Sequence, residues 1–111
     1  MWDILFQVGA VVLGGLIGAG IGYALAKYID KAKEWFSRLW REITRISRAI
    51  GILVRRGNRL FKVFVTKALN GEVEAYEDPQ DEGEEIKWED LTDEAKEALQ
   101  EDDYITVAVY E

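Results

Sequence analysis

Apolar residues follow three different patterns along this chain, and each pattern predicts a different kind of element. Residues 4–26 contain no charged side chain. From Ala32 to Leu53, apolar residues recur at alternating spacings of four and three, which is typical of a helix with one apolar side. After Arg59, short β-branched and aromatic runs are separated by turn residues, which is typical of strands. The chain is therefore divided into three predicted regions, residues 1–29, 30–57 and 58–111.

The uncharged stretch is long enough to cross a membrane as a helix. Its 23 residues make a helix of about 35 Å, and the hydrocarbon core of a bilayer is about 30 Å thick. A cleaved signal peptide would explain the motif Ala24-Leu25-Ala26, but a basic segment before the apolar run is missing and the run is too long. A buried core helix needs more surrounding apolar mass than a chain of 111 residues offers, unless several copies bury it together. A transmembrane helix is therefore the expectation.

Small residues recur every four positions within this stretch and form one stripe on a helix. We refer to this set as the small-residue stripe, which consists of Ala10, Gly14, Gly18, Gly22 and Ala26. Such spacing lets another backbone approach closely, and the pattern resembles the glycine zippers of oligomeric membrane segments. Because this chain has one apolar stretch of spanning length, the stripe predicts packing against another copy or another membrane protein.

The residues on either side of the apolar stretch predict its orientation. Asp3 precedes it, whereas Lys27, Lys31 and Lys33 follow it. Basic residues favour the cytoplasmic side of a membrane. The expectation is a single-pass protein of the cell membrane with a cytoplasmic C-terminus.

Residues 30–57 are predicted to form a basic amphipathic helix that ends near Gly57-Asn58. Its apolar seam has alternating arginines on the other side, and tryptophans flank it. The residues predicted to contact the membrane surface are Trp35, Phe36, Trp40, Arg38, Arg41, Arg45 and Arg48.

Four uses of this predicted helix remain open. It lies on the anionic cytoplasmic leaflet, it packs against copies of itself, or its basic aromatic side binds nucleic acid. In the fourth use, the seam is core for the C-terminal region and the arginines are solvated. The acidic C-terminal region argues against nucleic acid, because its charge repels phosphates.

Residues 58–111 predict a ββαβ unit with an antiparallel sheet. Asn70-Gly71 lies between two strand-like runs, which is the strongest short signal for a hairpin. A two-residue turn at this point places Lys67 opposite Glu74 and Val65 opposite Tyr76.

A helix and a strand complete the predicted unit. The helix runs from Leu91 to Gln100 with Thr92 as its N-cap, and the final strand runs from Tyr104 to Tyr110. Alternation along this strand places three residues on one face, Ile105, Val107 and Val109. They are expected to pack against Ala95, Leu99 and Trp88.

Charge is divided strongly between the two ends of the chain. Residues 1–71 carry twelve basic and four acidic side chains, a net +8, whereas residues 72–111 carry two basic and seventeen acidic ones, a net −15. The sum is −7, so the total conceals two opposed regions. An acidic unit of one copy can therefore attract the basic helix of another.

Few site chemistries remain open to this composition. The sequence has no His and no Cys, which excludes His-based catalysis, thiol nucleophiles and the usual zinc ligands. The loop from Asp78 to Glu89 resembles a calcium-binding loop only faintly, because its third and fifth ligand positions do not match. We therefore predict no catalytic residue, no cofactor and no metal, and a protein that is not an enzyme.

The expected fold is an α+β membrane protein with a transmembrane helix, a basic amphipathic helix and a small ββαβ unit. The expected function is self-association in the membrane through the small-residue stripe, and both a pore and a structural assembly fit this pattern. One alternative is a membrane-anchored adaptor whose residues 58–111 bind a protein. The other is a non-membrane assembly that buries the apolar stretch between subunits. The expected partners are the lipid bilayer and the chain itself.

Overall fold

The computed structural model describes residues 23–91, 93–101 and 103–111. In chain order, the elements of this part are α1 (Tyr23–Glu42), β1 (Ile46–Arg56), β2 (Arg59–Ala68), β3 (Val73–Glu77), β4 (Glu84–Glu85), a 3₁₀ turn (Trp88–Asp90), α2 (Asp93–Glu101) and β5 (Tyr104–Tyr110). The predicted transmembrane helix falls almost entirely outside these residues, as do the first four members of the small-residue stripe. Within the described ranges, no helix is long and apolar enough to span a membrane.

The five strands form one antiparallel sheet in the order β3-β2-β1-β5, with β4 paired to the start of β2. The long hairpin of β1 and β2 is its centre, and Gly57 and Asn58 connect the two strands between the paired residues Arg56 and Arg59. Gly57 has φ +67°, a left-handed conformation that glycine adopts without steric cost. The predicted α+β class with an antiparallel sheet is confirmed.

The helix predicted over residues 30–57 is wrong beyond Glu42, because residues 46–56 form β1. Arg45, with φ +63°, lies in the break between the two elements. Residues 49–53 are buried and alternate between the two faces of the sheet, and the β-branched Ile50 and Ile52 favour extended backbone. The helical spacing of Ile50 and Leu53 was therefore coincidental, since they face opposite sides of β1 and belong to different apolar clusters.

The predicted elements β2, β3, α2 and β5 are present, but β4 follows β3 and β1 lies between β2 and β5 in the sheet, so residues 58–111 do not form a separate ββαβ sheet. The register of the β2–β3 hairpin also differs by one residue. Lys67 pairs with Val73 and Val65 with Ala75, instead of with Glu74 and Tyr76. The cause is a three-residue loop, closed by a hydrogen bond from the Gly71 N–H to the Ala68 carbonyl. Gly71 has φ +92°, as is common in three-residue hairpin loops that end in a left-handed residue.

A register shift also changes which residues of β5 face the helices. Ile105 and Val107 are buried in the predicted core with Leu99. The pairing with β1 then shifts between Gly51 and Ile52. Beyond this bulge, Ala108 and Tyr110 pack against the helix-covered core in the place predicted for Val109.

Helix α1 packs across one face of the sheet and supplies much of the main core. Ile29, Ala32 and Phe36 are completely buried there. The Phe36 ring stacks on Phe64 of β2, with the ring centroids 5.7 Å apart. The seam of α1 is thus core for the α+β unit, which is the fourth of the uses considered for the sequence pattern.

The opposite face of the sheet carries a second apolar cluster. We define it as Ile50, Ile52, Val63 and Val65, each between 0 and 1% exposed. Its partly buried neighbours within the described residues are also strand residues. The main core under α1, which we call the first cluster, combines residues of α1, α2 and the sheet.

Gly51 is required where α1 crosses β1, because a Cβ at this position would overlap the Phe36 ring. We expect Gly51→Ala to lower the free energy of unfolding by about 1–3 kcal/mol, the usual cost of overpacking a core. Urea unfolding followed by tryptophan fluorescence measures this change. Replacing Phe36 with Leu frees some of the space, so the double variant is expected to lose less than the sum of the two single variants. Additive losses would show that Gly51 and Phe36 do not share one space.

Candidate functional site

The most connected polar cluster of the described residues surrounds Lys62 on β2. The Lys62 Nζ lies 3.2 Å from Asp78 Oδ2 and 4.0 Å from Asp81 Oδ2. It also lies 5.8 Å from the centre of the Tyr28 ring and 5.6 Å from that of Trp35. The cation thus sits between two carboxylates of one loop and two aromatic rings of α1, and joins the helix to the sheet.

Asp81 is the second centre of this cluster. Its Oδ2 accepts a hydrogen bond from the Tyr28 hydroxyl at 2.7 Å and another from the Lys62 backbone N–H at 3.0 Å. Its Oδ1 accepts one from the Gly83 N–H. The side chain is only 7% exposed, so these bonds replace the water that a buried carboxylate loses.

Two ionisable groups of the cluster have shifted pKa values. Burial, followed by the hydrogen bond to Asp81, raises the pKa of Tyr28 above its usual value. The Gln80 backbone N–H, followed by the Lys62 ammonium, lowers the pKa of Asp78. The raised pKa keeps Tyr28 a neutral phenol near neutral pH, and the lowered pKa keeps Asp78 an ionised carboxylate.

We call the set Tyr28, Lys62, Asp78 and Asp81 the clasp, because its contacts join α1 to the sheet. The arrangement favours a structural role over a catalytic one. Lys62 is paired with Asp78 and Asp81, and both carboxylates also accept hydrogen bonds from backbone N–H groups, so the polar groups of the cluster are bound to one another. A shallow cleft lies beside the cluster, lined in part by Arg56, Phe61 and Glu77. Arg56 forms an ion pair with Glu77, so the charges of the cleft largely satisfy one another.

The aromatic residues predicted to contact the membrane lie on the inner side of α1. Phe36 is completely buried, so its predicted membrane contact is wrong; the face that carries it is the one that covers the sheet. Trp35 is half-buried beside Phe36. Trp40 is half-buried and stacks on Tyr110, with centroids 5.6 Å apart.

The four predicted arginines do not form one continuous surface. Arg38 and Arg41 are exposed on α1, and Arg45 is exposed just after it. Arg48 lies on β1, half-buried, with its guanidinium 3.1 Å from the Glu111 carboxylate. The exposed basic residues define what we term the outer basic stripe, namely Lys27, Lys31, Arg38, Arg41 and Arg45.

The predicted oligomerisation residues Ala10, Gly14, Gly18 and Gly22 lie outside the described residues, and Ala26 belongs to the first turns of α1. In the loop that faintly resembles a calcium site, Asp78 and Asp81 already bond to backbone N–H groups. Within the described parts of the chain, no group of three or more acidic side chains is placed to hold a metal ion.

Sequence reasoning did not find the clasp. Tyr28 fell in the region 1–29 predicted to be transmembrane, and Asp78 and Asp81 fell in the loop that faintly resembles a calcium site. The available signal was the segment Asp78-Pro79-Gln80-Asp81 directly after a strand, because aspartates at such positions commonly fold back on backbone N–H groups two residues later. Their pairing with Tyr28 and Lys62 depends on how α1 lies on the sheet.

Comparisons with protein-family models, with curated proteins and with solved structures found no match for this chain.

The hydroxyl of Tyr28 has a measurable structural role if the clasp holds α1 in place. We expect Tyr28→Phe to lower the free energy of unfolding by about 1–2 kcal/mol, because Asp81 loses a buried donor. Tyr76→Phe is the matched control, since the Tyr76 hydroxyl donates to the exposed Glu74 carboxylate at 2.6 Å. Urea unfolding compares the two. Equal losses would contradict a special role for Tyr28.

The lowered pKa of Asp78 predicts a pH-dependent contribution to stability. A carboxyl group with a depressed folded pKa stabilises the fold above its unfolded pKa of about 4, and this contribution is lost as pH falls through the folded pKa. We expect Asp78→Asn to be less stable than the unmodified protein at pH 7, and the difference to shrink below about pH 4. Glu82→Gln, at an exposed position of the same loop, is the control. A difference that is constant with pH would rule out the ionic contribution.

Proposed function

We propose that this is a small single-pass membrane protein that self-associates through the small-residue stripe and holds its α+β unit at the cytoplasmic surface. The observation that carries the proposal is the direct junction between the uncharged stretch 4–26 and α1. Ile29 is completely buried in the core of the α+β unit, only three residues after the stretch ends. The folded unit therefore has no linker that would let it move away from an inserted segment.

The two sides of α1 support this placement. Its inner side covers the sheet, and its outer side carries Lys27, Lys31, Arg38 and Arg41 of the outer basic stripe, which Arg45 extends just beyond the helix. Exposed basic residues beside an inserted segment attract the anionic lipids of the cytoplasmic leaflet, at about 1 kcal/mol for each residue near the surface. Three acidic residues are also exposed on α1, Asp30, Glu34 and Glu42, so the attraction is moderate and decreases with salt.

Self-association is supported by the spacing of small residues and by the division of charge. Five small residues at intervals of four allow close helix packing in lipid. The same packing brings the α+β units of neighbouring copies together at the membrane surface. There the acidic side chains of residues 72–111 can face the outer basic stripe of the next copy, and such a contact weakens with salt.

The assembly is tested by enlarging the stripe. We expect the unmodified protein to be an oligomer in detergent and the triple variant Gly14→Leu, Gly18→Leu, Gly22→Leu to be a monomer, because leucine keeps the helix axes apart. Light scattering coupled to size exclusion measures the protein mass in the micelle. Gly9→Leu with Gly20→Leu is the matched control, since these glycines lie on the opposite side of a helix with about 100° between residues and their replacement should leave the oligomer intact.

Two outcomes would overturn separate parts of the proposal. An unmodified protein that is monomeric in detergent would contradict self-association and favour the membrane-anchored adaptor. A protein that fails to float with vesicles of anionic lipid would contradict the membrane anchor itself. Release of a trapped dye from those vesicles would show that the assembly forms a pore. Retention of the dye would show that it is a structural assembly.

A further inference from the structure

The second apolar cluster is more deeply buried than the described elements explain. Ile50, Ile52 and Val65 are 0% exposed and Val63 is 1% exposed. Residues on an uncovered face of a sheet remain partly accessible, and an apolar face is buried only when another layer packs on it. This sheet therefore needs a cover on its second face.

Neither described helix supplies this cover. The buried residues of α1 and α2 belong to the first cluster, together with Leu53, Phe64 and Ile105. The first and second clusters lie on opposite faces, because successive residues of a strand point to opposite sides. A second copy is not required either, since the burial is present within a single chain.

We propose that residues 4–22 pack on the second cluster when the protein is not in a membrane. Outside the described ranges, the chain has only residues 1–22, Thr92 and Asp102, and two isolated residues cannot cover a sheet. Residues 4–22 are uncharged, and as a helix they reach about 28 Å. The resulting fold has three layers, with the sheet between α1 and the apolar segment.

The composition of the segment suits this position. Gly14 and Gly18 present no side chain, so the segment can approach the branched side chains of Ile50 and Val65 closely. The segment must also pass from one face of the sheet to the other before α1 begins. Gly20 and Gly22 directly precede α1, and glycines allow the sharp change of direction that this path needs.

The inference concerns the same segment as the proposed membrane anchor. It describes the protein away from the bilayer, so it can hold even if the anchor proposal fails. Together, the two proposals make the segment an anchor that is stored on the sheet and released to a membrane. Both environments are apolar, and release exposes the second cluster.

Cysteine labelling of the full chain tests the docked state, because the natural sequence has no Cys. In buffer without lipid or detergent, we expect Val65→Cys to react with a maleimide at least 100-fold more slowly than Thr44→Cys at an exposed site. Ala49→Cys, buried in the first cluster, reports on the fold as a whole. Rapid labelling of Val65→Cys would show that the second face is open and would overturn the proposal.

A second pair of substitutions identifies the cover. Adding Leu13→Asp and Leu16→Asp should speed the labelling of Val65→Cys at least tenfold and leave Ala49→Cys protected, because charged residues prevent apolar docking. Continued protection of both sites would show that another segment covers the face. Adding anionic vesicles to the chain without the aspartates should likewise expose Val65→Cys alone. No change on vesicle addition would contradict release to the membrane but leave the docked state supported by the aspartate variant.

Photo-crosslinking resolves the case in which the aspartate variant unfolds and both cysteines react. A photo-reactive residue at position 65 of the otherwise unmodified chain is expected to form crosslinks within residues 4–22 of the same chain, identified by mass spectrometry. Crosslinks to other residues, or a product with the mass of a dimer, would overturn the proposal. Flotation with vesicles is measured separately, so loss of membrane binding and loss of intrachain docking are distinguished.

Discussion

The crossing of α1 over β1 is the contact on which the rest of the structure depends. Phe36 can enter the core only because residue 51 is a glycine, and the ring then stacks on Phe64 of the neighbouring strand. This contact fixes which side of α1 faces the sheet, and therefore leaves the lysines and arginines outside. It also fixes the position of Tyr28, two turns earlier on the helix, close to Lys62 and Asp81. The clasp is thus a consequence of the packing, and it closes the end of the helix nearest to the apolar segment.

The elements that the sequence predicted correctly are those whose signals are local. Alternating residues and a turn dipeptide predicted β2, β3 and β5, and helix capping predicted α2, because these patterns act over a few residues. β1 was missed for the same reason. Its residues continue a helical spacing from α1, and only pairing with β2 and β5 shows that Ile50 and Leu53 belong to opposite faces. Register was also beyond local patterns, since one additional loop residue before Gly71 shifts the hairpin.

The candidate site shows a similar limit. Sequence reasoning identified the aromatic and basic residues of α1 as important, but it assigned Phe36 to lipid because an amphipathic helix beside a membrane and one on a sheet have the same pattern. The two cases differ in what lies opposite the apolar side, which the sequence of the helix does not contain. The clasp joins residues 53 positions apart in the chain, Tyr28 and Asp81. Such a pair follows from tertiary packing and has no local signature beyond the turn that holds the aspartate.

The division of the sheet into two apolar faces changes the meaning of the N-terminal stretch. If the second face were exposed to water, the long apolar run of β1 would be a liability for solubility. Its deep burial is the basis of the proposed docking of residues 4–22. A glycine-rich segment without charge suits that docked position and also meets the length requirement of a bilayer. Under the two proposals, the same absence of charge permits insertion and docking, so lipid and sheet compete for one segment. Membrane attachment would then depend on the difference between two apolar burials, which is smaller than either burial alone.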